Sequence, residues 1–115
     1  MLTLPPAIRV FVSTAPVDMR HSFDRLAARV EGILQQDPFS GHLFVFRNRP
    51  GDKVKILFWD RSGFCLIYKR LEQGTFRFPR SSAAQQEIDS ATLGLILEGI
   101  DLSDAKYQRR YRRAA

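Results

Sequence analysis

The chain has 115 residues, 44% apolar and 26% charged, which suits one domain around one core and is too apolar for a disordered segment. A formal charge of +6 points toward polyanionic partners. One cysteine, Cys65, excludes an internal disulfide and a cysteine-based zinc site, and no apolar run approaches the roughly 20 residues that a bilayer-spanning helix needs.

The N-terminal stretch MLTLPPAIRVFV lacks the basic region of a signal peptide, and Arg9 interrupts its apolar run. The expected compartment is the cytoplasm, at the nucleoid when DNA is bound. Residues 7–14, AIRVFVST, are rich in β-branched side chains and predict a strand that ends at Pro16. Asp18 suits a helix N-cap. After it Met19, Phe23, Leu26, Ala27, Val30, Ile33 and Leu34 recur at helical spacing, which predicts one long amphipathic helix over about 19–35. Arg20 is placed either to pair with Asp24 one turn on or to reach a phosphate. DPFSG at 37–41 closes the helix with turn residues.

Residues 42–79 read as a meander of about four antiparallel strands: HLFVFRN, KVKILFW, FCLIYKRL and FRFP, joined at RPGD, DRSG and QGT. Gly41, Gly51, Gly63 and Gly74 fall at these turns. The loop DRSG decides which residues of its hairpin share a face. A three-residue loop with a bulge at Gly63 sets Phe58 beside Leu66 and Ile56 beside Tyr68. One face then carries Val54, Ile56, Phe58, Phe64, Leu66 and Tyr68 toward the helix. The other carries Lys53, Lys55, Leu57, Trp59, Cys65, Ile67 and Lys69, and is either a basic surface with a stacking aromatic or a second small core with snorkelling lysines. A two-residue loop slips the register by one and mixes these sets. RSSAAQQ at 80–86 reads as a polar loop, and Ser90 caps a short helix over 91–98 that ends at Gly99. The whole predicts an α+β domain over residues 1–104, an antiparallel sheet of about five strands against the long helix, followed by a basic tail at 105–115.

The charge is concentrated. Residues 47–80 hold nine bases against three acids, residues 81–104 hold five acids and no base, and the tail holds five bases and no acid. Such clusters are what release of counterions from a phosphate backbone requires, although runs of charge also serve simply as solvated surface. The candidate nucleic-acid contacts are Arg47, Arg49, Lys53, Lys55, Lys69 and Arg70, with Trp59 as a stacking platform, and in the tail Lys106, Arg109, Arg110, Arg112 and Arg113.

Catalytic motifs are missing. His21 and His42 form no HxxxH or HxH pair, no serine stands in a GxSxG elbow, and RNRPGDK lacks the spacing of a phosphate-binding loop. Asp60 closes an apolar strand, with Glu98 as an imaginable partner in a metal-dependent nuclease, but Asp60 equally suits the start of a turn. No cofactor or metal is expected.

Several segments in order carry a resemblance: VDMRHSFDRLA (17–27), the run 37–79 with GHLFVF, Trp59-Asp60 and KRLEQG, and LGLILEGID (93–101). Together they resemble the small accessory protein encoded by the second open reading frame of bacterial insertion sequences of the IS66 group. The resemblance covers roughly residues 4–102. Phe78 stands where tryptophan is common before Pro79, and the tail after Asp101 has no counterpart. The resemblance implies a non-catalytic accessory role in DNA transposition, beside a separate transposase that carries the chemistry. It supplies no catalytic residues. Expected partners are DNA, the transposase of the same element, or both; the alternative is a pure protein adaptor in which Trp59, Leu57 and Ile67 meet the transposase. No membrane partner is expected.

Overall fold

The computed structural model describes residues 7–101. Its elements follow as β1 (Val10–Ser13), α1 (Phe23–Gly32), β2 (Leu43–Arg47), β3 (Lys53–Asp60), β4 (Gly63–Arg70), β5 (Gln85–Ile88) and α2 (Ser90–Leu97). The five strands make one sheet in the order β4-β3-β2-β1-β5. The class is α+β, but the sheet is mixed: β1 pairs parallel with β2, and the other three pairings are antiparallel. The purely antiparallel sheet is thereby corrected. A chain that leaves β1, forms a helix over one face and re-enters the sheet next door returns in the same direction.

The count of five strands stands, but one strand is exchanged. FRFP does not join the sheet. It crosses one face, with the Phe76 N–H donating to Gly51 O at 2.8 Å and the Phe76 ring buried. The fifth strand is β5, at the end of the segment read as a polar loop and just beyond it, paired with β1 so that Val12 opposes Gln86 and Val10 opposes Ile88. Arg9, just before β1, straps this edge to Glu87 with two hydrogen bonds of 2.8 and 2.7 Å.

Alternation along β1, β2 and β3 sends apolar side chains to both faces. Phe11, Phe44, Phe46 and Leu57 pack with Leu26, Val30 and Leu34 on the α1 side. Val10, Val12, Leu43, Val45, Val54 and Ile56 pack with Phe76, Leu93 and Ile96 on the α2 side. The sheet is therefore covered twice, by α1 on one face and by α2 with the 76–79 segment on the other.

The β3–β4 hairpin has the two-residue loop, with Asp60 opposite Gly63, Trp59 opposite Phe64 and Leu57 opposite Leu66. Arg61 takes a positive φ of 51°, and Ser62 N–H donates back to Asp60 O. Primed two-residue loops need such a left-handed residue because it matches the strand twist. The predicted faces shift accordingly. Lys55, Leu57 and Trp59 share the α1 face with Phe64, Leu66 and Tyr68, while Ile67 packs on the α2 side. Segregation of apolar residues favours the bulged loop only where there is one core. With a core on each face, no apolar set needs to be kept from the other.

Helix α1 is ten residues long, shorter than the predicted 19–35. Its N-cap is Ser22 rather than Asp18. The Asp18 carboxylate instead holds the turn before the helix, accepting from Arg20 N–H at 2.9 Å and from the Arg20 guanidinium at 2.6–3.1 Å, so Arg20 pairs backward to Asp18 rather than forward to Asp24. Leu34 stays buried beyond the helix, and Gln35 turns the chain at φ 56°. Helix α2 is capped by Asp89, whose carboxylate accepts from Thr92 N–H at 2.7 Å, one residue before the predicted Ser90. It ends as predicted at Gly99: with φ at 97°, Gly99 N–H reaches Ile96 O and Ile100 N–H reaches Leu95 O.

Lys55 is buried within this framework, at 6% exposure. Its ammonium donates to Met19 O and His21 O, each at 2.8 Å, and lies 4.7 Å from the centre of the Tyr68 ring. It thereby satisfies two carbonyls of the turn that feeds α1. Lys55→Ala leaves both carbonyls unpaired and opens a cavity, so urea unfolding should show a loss of about 2–4 kcal/mol. Lys53→Ala should stay within about 0.5 kcal/mol, and equal losses for the two would refute the assignment.

Stability should also depend on pH. Hydrogen bonds from the Arg20 side chain hold Asp18 well below the usual carboxylate range, those from Arg9 lower Glu87, and those from the Thr92 side chain and backbone lower Asp89. Because the unfolded chain binds these protons more readily, the stabilisation is complete above the ordinary carboxylate range, about pH 5, and drains away as pH falls below it. Melting curves from pH 7 to pH 2 should therefore decline on the acid side, less steeply in Asp18→Asn. An acid limb unchanged by that substitution would rule out Asp18 as a source of the decline.

Candidate nucleic-acid interface

Parallel pairing brings the C-terminal ends of β1 and β2 side by side, and the chain leaves each of them polar. Arg47, the last residue of β2, alternates with Val45 to the α2 side. Its guanidinium donates to Thr14 O, just past β1, at 2.8 Å, and more weakly to Asn48 O at 3.4 Å. Held by its guanidinium in this way, Arg47 forms the floor of a cleft.

One wall is the turn 48–52. Buried Asn48 shapes it: its side-chain oxygen accepts from Gly51 N–H at 2.9 Å and Lys53 N–H at 3.1 Å, and its amide nitrogen donates to Asp52 at 2.7 Å. Gly51 takes φ 85°, which a side chain would strain, and this turn presents Arg49 at its exposed tip. The other wall is the extended segment 75–81. Phe76 and Phe78 turn inward onto the sheet, alternation leaves Arg77 exposed between them, and Arg80 is exposed beyond Pro79. Gln86 of β5 closes the far side.

The cleft measures about 400 Å³ and is lined by four arginines, Arg47, Arg49, Arg77 and Arg80, with no Asp or Glu among its lining residues. Arg49, Arg77 and Arg80 are exposed and make no hydrogen bond or ion pair among the described residues. Like charges gathered without carboxylates repel one another, and an anion relieves that repulsion. Guanidinium groups suit phosphate in particular, because their paired N–H donors match its oxygens.

The sequence candidates separate. Arg47 and Arg49 belong to the cleft. Lys53 opens β3, half-buried, with Arg70 opposite it on β4, and Arg70 pairs with Glu72 at 2.9 Å. Lys55 is buried and bonded to the turn before α1, so it has no free ammonium for phosphate. Lys69 donates to Leu97 O at 2.9 Å, where a cation complements the C-terminus of α2. Trp59 packs edge-on against Phe39 and Phe64, with centroids 5.0 and 5.1 Å away, and is part of an aromatic cluster. Leu57 is fully buried and Ile67 half-buried against the α2-side core, so Trp59, Leu57 and Ile67 do not form the single adaptor surface expected of them. Lys106, Arg109, Arg110, Arg112 and Arg113, with the proposed tail 105–115, lie outside the described residues.

Sequence reasoning misses Asn48, Arg77, Arg80 and Gln86. Arg77 and Arg80 stand within the basic span 47–80, but reading FRFP as a sheet strand hides their role as a cleft wall. Asn48 is visible as a turn-forming residue in RNRPGD. Of the carboxylates considered for metal chemistry, Asp60 starts the hairpin loop and Glu98 is the C-cap of α2. His42 accepts the Arg9 N–H at its Nδ1, 3.0 Å away, which fixes the β1 entry. Among the described residues, no three His, Cys, Asp or Glu side chains come together as metal ligands, and no helix is long and apolar enough to cross a membrane.

Comparison with known proteins agrees with the resemblance read from the sequence. The model of the family described as IS66 Orf2-like protein matches residues 8–107. Two similar proteins of Sinorhizobium fredii are the uncharacterized proteins y4hO, 41% identical over 88% of this chain and 88% of its own, and y4jC, 35% identical over 86% and 85%. No solved structure matches the chain. The family match spans the sheet, both helices and every residue of the arginine cleft, and on that ground the chain belongs to the IS66 Orf2-like family.

Proposed function

We propose that the protein is a non-catalytic accessory factor in transposition of an insertion sequence, and that it holds DNA through the phosphate backbone at the arginine cleft. Family membership suggests the accessory role in transposition. The observation that supports the DNA contact is the cleft itself, four arginines with no acidic residue among them. Arg47 is pre-oriented by its bond to Thr14 O, and the other three are free to reach a ligand. Phosphate contacts position a protein on DNA without reading its sequence, so binding through this cleft is insensitive to sequence.

A second reading concerns the transposase. Strand β4 is a sheet edge of eight residues with no neighbour on its outer side among the described residues. Beside it, on the α1 face, Tyr68 and Phe39 are 51% and 55% exposed. Open edges of this length invite strand addition by another chain. In a pull-down with the transposase of the same element, that reading expects capture by the wild type and loss of capture in the Phe39→Ser, Tyr68→Ser double variant with DNA binding intact. Capture indifferent to both substitutions contradicts it.

For the leading reading, the Arg49→Ala, Arg77→Ala, Arg80→Ala triple variant should melt within a few degrees of the wild type, because these side chains pack against nothing they hold in place. Its DNA affinity should drop at low salt. The slope of log affinity against log salt should shrink by about 0.9 for each duplex phosphate that the variant no longer neutralises. Element-end and scrambled duplexes should respond alike. An unchanged slope in the triple variant would remove the cleft from the DNA interface.

A further inference from the structure

The cleft is concave, and this bears on which part of a DNA molecule fills it. A duplex is a convex rod that exposes its phosphates singly along each ridge. It can lie across the rim but cannot occupy the interior. The volume, about 400 Å³, lies within the range of about 300–1,000 Å³ found for pockets that enclose small molecules. One unstacked nucleotide is a ligand of that kind.

The composition of the walls agrees. The charged part is the four guanidinium groups. The apolar part that solvent reaches is Phe78 and Pro79, half-buried, and Pro50, exposed, surfaces against which a base or sugar can lie. Gln86 adds an amide whose buried Oε1 has no hydrogen-bond partner among the described residues. Rotation of that amide toward the cleft would give the oxygen a donor from a ligand, such as the amino group of a base.

Charge decides between an internal and a terminal nucleotide. A phosphodiester brings one negative charge to four arginines. A terminal phosphate monoester carries about −1.5 to −2 at neutral pH and offers three acceptor oxygens. We propose, building on the DNA-binding reading above, that the arginine cleft receives the terminal phosphate and end nucleotide of an unpaired DNA strand. Arg47, held by Thr14 O, supplies the fixed donor at the floor. Arg49, Arg77 and Arg80 close on the phosphate from the two walls, and Phe78, Pro79 and Pro50 take the sugar and base.

The test uses the full-length chain and fluorescence anisotropy. The probes are short single strands of one sequence ending in a hydroxyl, a 5′-phosphate or a 3′-phosphate, each labelled at the opposite end, together with a blunt unphosphorylated duplex. The proposal expects one of the phosphorylated strands to bind about tenfold or more tighter than the hydroxyl strand, the gain of an added charge-assisted contact. Free deoxynucleoside monophosphate should compete for that strand. Arg77→Ala and Arg80→Ala, each checked for an unchanged melting temperature, should abolish the preference for phosphate. Equal binding of the hydroxyl and phosphorylated strands, with duplex binding still weakened in the arginine variants, would overturn the end-binding inference and leave the backbone reading standing. No binding of any probe by the wild type at low salt would overturn both.

Discussion

Strands β1 and β2 lose nearly all their side chains from water on both faces, and most of the molecule follows from that burial. Phe44 and Phe46 point one way and Leu43 and Val45 the other, each almost fully enclosed. A sheet apolar on both sides needs two covers. The first is α1, which crosses between β1 and β2 and so makes them parallel. The second is α2 with the 76–79 segment, whose apolar residues have no other place to go. Where a charge falls inside these layers it must be bonded: Lys55 survives there because two backbone carbonyls accept from its ammonium.

The same constraint sorts the basic residues. Cations within the strands are drawn into structural bonds, Lys55 to the turn before α1 and Lys69 to the end of α2. Arg49 in its turn and Arg77 and Arg80 in the segment that crosses the sheet make no such bond among the described residues, and Arg47 lines the cleft while bonded to Thr14 O. Parallel pairing of β1 and β2 places two strand ends together, and the FRFP segment must pass them on its way to β5. The arginine cleft is thus a consequence of topology. It assembles where the double cover leaves off, and its four arginines alone lie up to 33 positions apart in the chain (Arg47 to Arg80).

Much of this is legible in the residues. Alternation locates β1 to β4, helical spacing locates the buried stripe of α1, and Gly99 marks the end of α2. What escapes depends on long-range choices. Asp18 has the chemistry of a cap, and only Arg20 beside it commits it to a turn four residues early. Gln85-Gln86-Glu87-Ile88 holds one apolar residue, too few to announce a strand, and becomes one because β1 has a free edge. FRFP alternates like a strand and is extended, yet among the described residues nothing takes the place beside β4 that a meander would give it. The bulged hairpin loop follows from a single core, and the sheet has two. Two of these misses also move candidate residues: the hairpin loop sets the face of Lys55, and the path of FRFP sets the wall that carries Arg77 and Arg80.

The residues 47–80 therefore divide into cations that hold the fold and cations that are free to hold a ligand. The most direct test of that division is a nuclear magnetic resonance titration of the arginine Nε–H and lysine Nζ signals with unlabelled DNA. The account predicts that Arg47, Arg49, Arg77 and Arg80 shift together while Lys55 and Lys69 keep their positions. Shifts centred on Lys53, Lys69 and Arg70, with the four arginines of the cleft unmoved, would contradict it.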